Sequence, residues 1–209
     1  MDWYRKKSWT ANDEEHFFIK LNRARKYSRA QYLKIQAIEL IETSKPKLLE
    51  VAEFLLAKML SEYPDEKFCR ASALNSLGDI YKKQGKIEKA IEFYKKSLEF
   101  EIEYPNVKTQ SYLNYSELII KSNLTDQFDS VKNIVLERFN NLIFPLDRYK
   151  TASILSIICK KEGEMELAKK YADIAEQNAN KETSGLRYHK YLGIVMERTN
   201  WLDELVNKN

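Results

Sequence analysis

The chain has 209 residues, of which 32% are charged and 12% aromatic, with only five glycines and four prolines. That length can bury a sizeable core as one domain or as a repeat array without a centre, and so few turn formers disfavour an all-β architecture. The net charge of +4 belongs to the N-terminus: residues 1–34 carry nine Lys and Arg against four Asp and Glu, and the rest carry 26 against 27.

In chain order the pattern is helical throughout. Asn12 with Glu15 reads as a capping box, and Phe17, Phe18, Leu21 and Ala24 give an apolar stripe, which predicts a first helix over about 12–27. A second helix follows from about Arg29 to Ile41, and Pro46 suits the first turn of a third that runs to about Glu62. Helices are then expected at about 65–84 and 86–103, 107–122 and 126–141, 147–161 and 164–179, and 184–198 and 200–207. Pro105 and Pro145 stand between pairs. No segment alternates with period two for long enough to make a strand. The linkers are short, so one continuous domain is expected.

Internal repetition is visible. Sliding LNSLGDIYKKQGKIEKAIEFYKKS by 78 residues places Gly78 on Ser156, Tyr81 on Cys159, KKQG on Lys160-Lys161-Glu162-Gly163, and Ala90 on Ala168. A slide of 115 places Leu77-Gly78 on Leu192-Gly193 and Gly85 on Asn200, the other residue type that readily takes the left-handed conformation of a helix end. Near 109–142 the pattern fits loosely through Tyr112, Tyr115, Ser116, Ile119 and Asn123. Upstream, Ala52, Leu56, Met59 and Pro64 keep the second-helix spacing. Small residues at these offsets let two helices approach, and neighbouring pairs must stack to bury their apolar faces.

The pattern resembles the tetratricopeptide repeat family, with Leu-Gly, Tyr, Ala, an aromatic and Pro at fixed offsets in units of about 34 residues. It touches about residues 33–209. The resemblance implies an all-α fold, a right-handed α-solenoid of stacked antiparallel helix pairs in a single domain over 1–209. Residues 1–28 would form a basic, aromatic arm and capping helix. The units would lie at about 29–64, 71–104, 107–142, 147–182 and 184–209. Tyr94 and Ala172 are expected to meet the following unit.

Chemistry is sparse. There is no glycine-rich phosphate loop, GxSxG, HExxH or CxxC, and His16 and His189 share no i, i+4 face with a second ligand. Neither an enzyme, a cofactor, a metal site nor a small-molecule substrate is expected. Cys159 reads as a packing residue, and Glu99, Glu101 and Glu103 as a solvated helix face. No apolar run approaches the ~20 residues that span a membrane. The first segment, MDWYRKKSWTANDEEHFF, has charge where a signal peptide needs an apolar stretch. A cytoplasmic location with reduced thiols is expected.

The resemblance further implies a concave groove lined by the first helix of each unit. Carried over position by position, its partner-binding set is Asn75, Lys82, Lys83, Lys150, Lys160, Lys161, Arg187, Lys190 and Arg198, with Ser153 and Ile157 between them. The expected partner is another protein, held through an acidic segment. Dedicated neutralising partners of the immunity or antitoxin type are one version of this. Asp79 and Ser72 stand where the family's co-chaperone clamps want a neutral donor and a cation, so that ligand is not implied. The alternative is RNA or DNA binding through the arm WYRKKSW and the groove, which mixes aromatics and cations. The same arm also reads as a cap in which Trp3, Tyr4 and Trp9 fold back on the first helix.

Overall fold

The computed structural model describes residues 2–207, so Met1, Lys208 and Asn209, at the ends of the expected arm and last unit, lie outside it. Its helices are α1 (Ala11–Arg23), α2 (Lys26–Glu42), α3 (Pro46–Glu62), α4 (Lys67–Lys83), α5 (Ile87–Glu103), α6 (Ser111–Lys121), α7 (Phe128–Phe139), α8 (Pro145–Lys161), α9 (Met165–Ala179) and α10 (Asn200–Asn207). A 3-10 turn at Thr125–Gln127 precedes α7, and no strand occurs among the described residues. The single domain expected from the short linkers gathers into two compact units, residues 1–111 and 112–209.

In the first unit α2 pairs with α3 and α4 with α5, and α4 packs on both helices of the preceding pair. The arm packs: Trp3 lies against Phe17 (5.3 Å) and Tyr32 (4.9 Å), and Trp9 against Phe17 (5.3 Å). The capping box of α1 stands two residues earlier than the sequence suggests. Thr10, with extended backbone, accepts from the Asp13 amide through its hydroxyl, and Asp13 accepts from the Thr10 amide (3.0 Å). Asn12 is already inside the helix and caps nothing. Pro46 takes the first turn of α3, where its missing N–H is no loss.

The turn between α4 and α5 rests on Gly85 at φ +74°. Its amide donates to Lys82 (3.1 Å) and the Lys86 amide donates to Tyr81 (2.9 Å), closing the helix end on its own carbonyls. Seven residues upstream, Gly78 has a different task. A Cβ placed there would lie 3.0 Å from Tyr94 Cγ and closer still to Cδ1 and Cε1. Tyr94 is therefore pressed onto its own hairpin, and its hydroxyl donates to Asp79 Oδ1 (2.7 Å). Ala90 is fully buried at the same interface. Glu101 is buried, not solvated: Thr109 covers it and donates to it from its amide (3.0 Å) and hydroxyl (2.5 Å).

In the second unit α8 is buried at every position from Thr151 to Cys159, between α7, α9 and α10. Gly163 (φ +81°) repeats the Gly85 turn, with its amide on Lys160 and the Glu164 amide on Cys159. At the Gly78 position Ser156 donates to Ala168 O (2.8 Å). Ala172, at the Tyr94 position, is half-buried.

The expected helix at 184–198 does not form. Gly193 sits at φ +70° with Phe144 Cγ 2.6 Å from where a Cβ would be, and its carbonyl accepts from the Leu146 amide (2.8 Å). Ser184 holds a second turn through its amide to Lys190 O (2.7 Å) and its hydroxyl to His189 O (2.8 Å). No neighbouring helix covers Tyr188, Tyr191 and Met196, which stay exposed. The 115-residue repetition is thus a coincidence of glycines under aromatic rings, and Asn200 begins a helix instead of ending one.

Two glycine substitutions separate the two kinds of constraint. Gly78→Leu drives atoms into the Tyr94 ring and should lower stability by about 1–3 kcal/mol. Gly85→Ala meets open space and pays only for its left-handed backbone, about 1 kcal/mol. Urea unfolding should show both losses, the first larger, at an unchanged denaturant slope. Equal losses would place the constraint elsewhere.

Candidate interaction surface

Lys82 and Lys83 form the last turn of α4, where positive charge complements the helix end. Lys82 Nζ lies 3.9 Å from Asp79 Oδ1, and Lys83 donates to Ser44 Oγ (2.7 Å). With Ile38, Ile41, Glu42 and Ser76 they border a cleft of about 300 Å³. Burial pushes the Asp79 carboxyl above its ordinary value, against the opposing effect of the Tyr94 hydroxyl. Asn75 faces inward: it accepts from Ser111 Oγ (2.8 Å), and its Nδ2 lies 3.4 Å from Asp79 Oδ2. The lysines of the first unit therefore stand beside acidic neighbours.

The second unit brings Lys160 and Lys161, in the last turn of α8, together with Lys121, the last residue of α6. They border a cleft of about 480 Å³ whose other walls are Ile120, Asn123, Phe128, Ile157 and Leu205. Lys160 Nζ reaches the Val206 carbonyl (3.3 Å), and Lys121 Nζ stands 5.7 Å from the Trp201 ring centre. Lys121 was not among the sequence candidates. Its signal was Asn123, which takes the left-handed turn (φ +51°) two residues after Lys121, as Gly85 does after Lys83 and Gly163 after Lys161.

The remaining candidates are placed differently. Lys150 pairs with Glu117 (2.8 Å). Ser153 is fully buried and donates to Tyr149 O. Arg187 and Lys190 are exposed in the irregular 180–199 stretch, Arg187 over the Tyr188 ring. Arg198 fastens α10: its guanidinium grips both Glu176 oxygens (3.0 and 2.6 Å), and its Nε donates to Asp203 (2.8 Å). Asp203 also accepts from the Tyr149 hydroxyl (2.8 Å), and burial with that bond pushes Tyr149 up to about 12. The helix that would have aligned Arg187, Lys190 and Arg198 is absent, so these three do not share a helix face.

Among the described residues Cys159, Glu162 and Glu164 bring three ligand atoms within 4.8 Å of one another. Lys132 already bonds both carboxylates, and its ammonium is held above the usual lysine range by Glu162. Burial, then the bond to Glu164, pushes Cys159 up to about 11. A protonated thiol is neither a good nucleophile nor a ready metal ligand. Cys69 is likewise raised by burial, and both thiols are free and buried. The cluster fastens α7 to the turn between α8 and α9.

Residues 71–101, from the second turn of α4 almost to the end of α5, match the family model described as Tetratricopeptide repeat. No curated protein and no solved structure matches the chain. The fold is an all-helical assembly of stacked helix pairs, one of which is matched as a tetratricopeptide repeat. No helix among the described residues is long and apolar enough to cross a membrane.

The Arg198 fastening gives a pH dependence. Arg198, helped by Asn180, holds Glu176 from an ordinary 4.5 down to about 2. The pairing therefore stabilises the fold fully above pH 4.5 and is lost as pH falls toward 2. Both groups are partly exposed (56% and 38%), so solvent limits the effect to about 1 kcal/mol or less. Titrating the Trp201 indole N–H signal should show α10 loosening across that window. Glu176→Gln should remove that step. An unchanged titration would show that α10 is held elsewhere.

Proposed function

We propose that this chain is a non-catalytic, cytoplasmic protein-binding module that holds an acidic segment of a partner protein. The observation that carries this reading is the recurrence of a lysine at the end of three first helices, Lys83, Lys121 and Lys161, each two residues before a left-handed turn. Proteins built of tetratricopeptide repeats generally mediate protein–protein interaction, and residues 71–101 are one such repeat. Protonated, buried thiols support both a reducing compartment and a non-catalytic role. A dedicated neutralising partner of the immunity or antitoxin type, or a regulatory one, fits this kind of surface.

A second reading, nucleic-acid binding, has one observation in its favour. Trp3, Tyr27 and Tyr32 with Lys20, Arg23 and Arg25 border a hollow of about 520 Å³. Against it, the arm's own cations are paired: Arg5 with Glu39, Lys6 with Asp13 and Lys7 with Glu42.

Reversing Lys82, Lys83, Lys160 and Lys161 to Glu should reduce partner capture from native lysate roughly tenfold or more while leaving helicity unchanged. Capture that is undiminished by the reversals would sink the acidic-partner reading. Retention of a single-stranded RNA that falls steeply between low and moderate salt would favour the second.

A further inference from the structure

We infer that the cleft of the second unit seats one bulky apolar side chain of the acidic partner segment, with Lys121, Lys160 and Lys161 holding the carboxylates on either side of it. The inference rests on the acidic-partner reading and narrows it to one unit and one kind of sequence: a large aliphatic or aromatic residue flanked by Asp and Glu.

The cleft is built for both halves of such a ligand. Its floor is apolar, since Ile120, Phe128 and Ile157 are each no more than 6% exposed and Leu205 is half-buried beside them. At about 480 Å³ it falls within the roughly 300–1,000 Å³ typical of ligand pockets. Among the described residues three lysines border it and no acidic side chain does. Lys160 donates to the Val206 carbonyl (3.3 Å) and Lys121 Nζ lies 5.7 Å from the Trp201 ring centre, so both stand on the α10 side of the cleft, while Lys161 is exposed at its border.

The chain also displays, on the same helix, the ligand chemistry that this face accepts. α10, NWLDELVN, is an acidic amphipathic helix that packs on α8. It buries Leu202 completely and has Asp203 held by Tyr149 and Arg198. The cleft lies directly beside it, walled on one side by Leu205 of α10 itself. An acidic partner segment laid alongside would repeat that pairing, an apolar anchor against α8 with carboxylates against cations. The cleft of the first unit lacks this character, because Glu42 and Asp79 line it.

The test uses the full chain and fluorescein-labelled 11-residue peptides, with a central Leu flanked by Glu and Asp, or with Gly in place of that Leu. Anisotropy titration should show the Leu peptide bound about tenfold more tightly than the Gly peptide. Lys121→Glu with Lys161→Glu should weaken the Leu peptide by about tenfold or more, whereas Lys82→Glu with Lys83→Glu leaves it unchanged. Leu205→Glu should abolish the preference for Leu; if that change loosens α10, the exposed Lys121 and Lys161 reversals still decide the matter. Equal binding of the two peptides, or loss only on reversing Lys82 and Lys83, overturns the cleft while the acidic-partner reading stands. Failure of both peptides to bind overturns the cleft and that reading together. Displacement of the bound peptide by a single-stranded RNA dodecamer would assign the lysines to phosphate and overturn the proposal.

Discussion

One residue in the left-handed conformation ends α4, α6 and α8, and most of the structure follows from that constraint. At Gly85, Asn123 and Gly163 the backbone turns back on itself, and the amides of that residue and of the next one close onto carbonyls of the helix's last turn. The turn fixes where the second helix begins, so α4 packs along α5 and α8 along α9. The last turn of the first helix carries unpaired carbonyls, and a lysine in each of the three cases stands two residues before the turn. The left-handed turn at Ser44 (φ +55°) follows Glu42 at the end of α2, so the device sets the fold and the lysines are a separate choice of sequence.

What fills the interface differs from pair to pair. In α4–α5 the approach depends on a missing side chain: Gly78 leaves room for the Tyr94 ring, whose hydroxyl then satisfies Asp79. In α8–α9 the roles shift, and a small hydroxyl, Ser156, closes onto the Ala168 carbonyl where no ring intrudes. Ala90 and Ala168, fully and almost fully buried, are what the two pairs keep in common. A contact of ring on glycine and one of hydroxyl on carbonyl both satisfy close packing, so the hairpin survives while its family signature fades outside 71–101.

The helix boundaries that sequence made legible were those with a chemical stop or start. Pro46 opens a helix, and Gly85 and Gly163 close theirs, whereas Pro145, expected between pairs, is the first residue of α8. Illegible features depended on residues distant in sequence. Leu192-Gly193 has the same letters as Leu77-Gly78, and both glycines lie under an aromatic ring. One is helical beneath Tyr94; the other is left-handed beneath Phe144. Local pattern cannot tell which ring will arrive. Glu101 belonged to an alternating run of acids that reads as solvated, until Thr109 folds over it. The ion pairs Glu117–Lys150 and Glu176–Arg198 join residues on separate elements, so two expected surface cations turned out to be fasteners. Thr10 with Asp13 and Asn12 with Glu15 have the same spacing, and only backbone geometry distinguishes the cap that forms, Thr10.

The lysine pairs show most clearly why a charge must be judged by its surroundings. Lys82-Lys83 and Lys160-Lys161 are interchangeable in sequence, 78 residues apart and in the same helical turn. The same offset carries Asp79 onto Ile157. In the first unit that aspartate lies 3.9 Å from Lys82, and Glu42 of α2 adds a second acid to the cleft. Near a protein surface, opposite charges at such a distance attract by about 4 kcal/mol before desolvation and side-chain entropy are subtracted. The net gain is far smaller, yet an incoming carboxylate must still compete with the resident one. In the second unit the equivalent position is a buried isoleucine, which adds floor instead of charge. A single replacement, Asp for Ile, thus separates a cleft already supplied with anions from one lined by three cations over an apolar base. On the proposed acidic-partner reading, that difference favours the second cleft over the larger sum of basic residues along the chain.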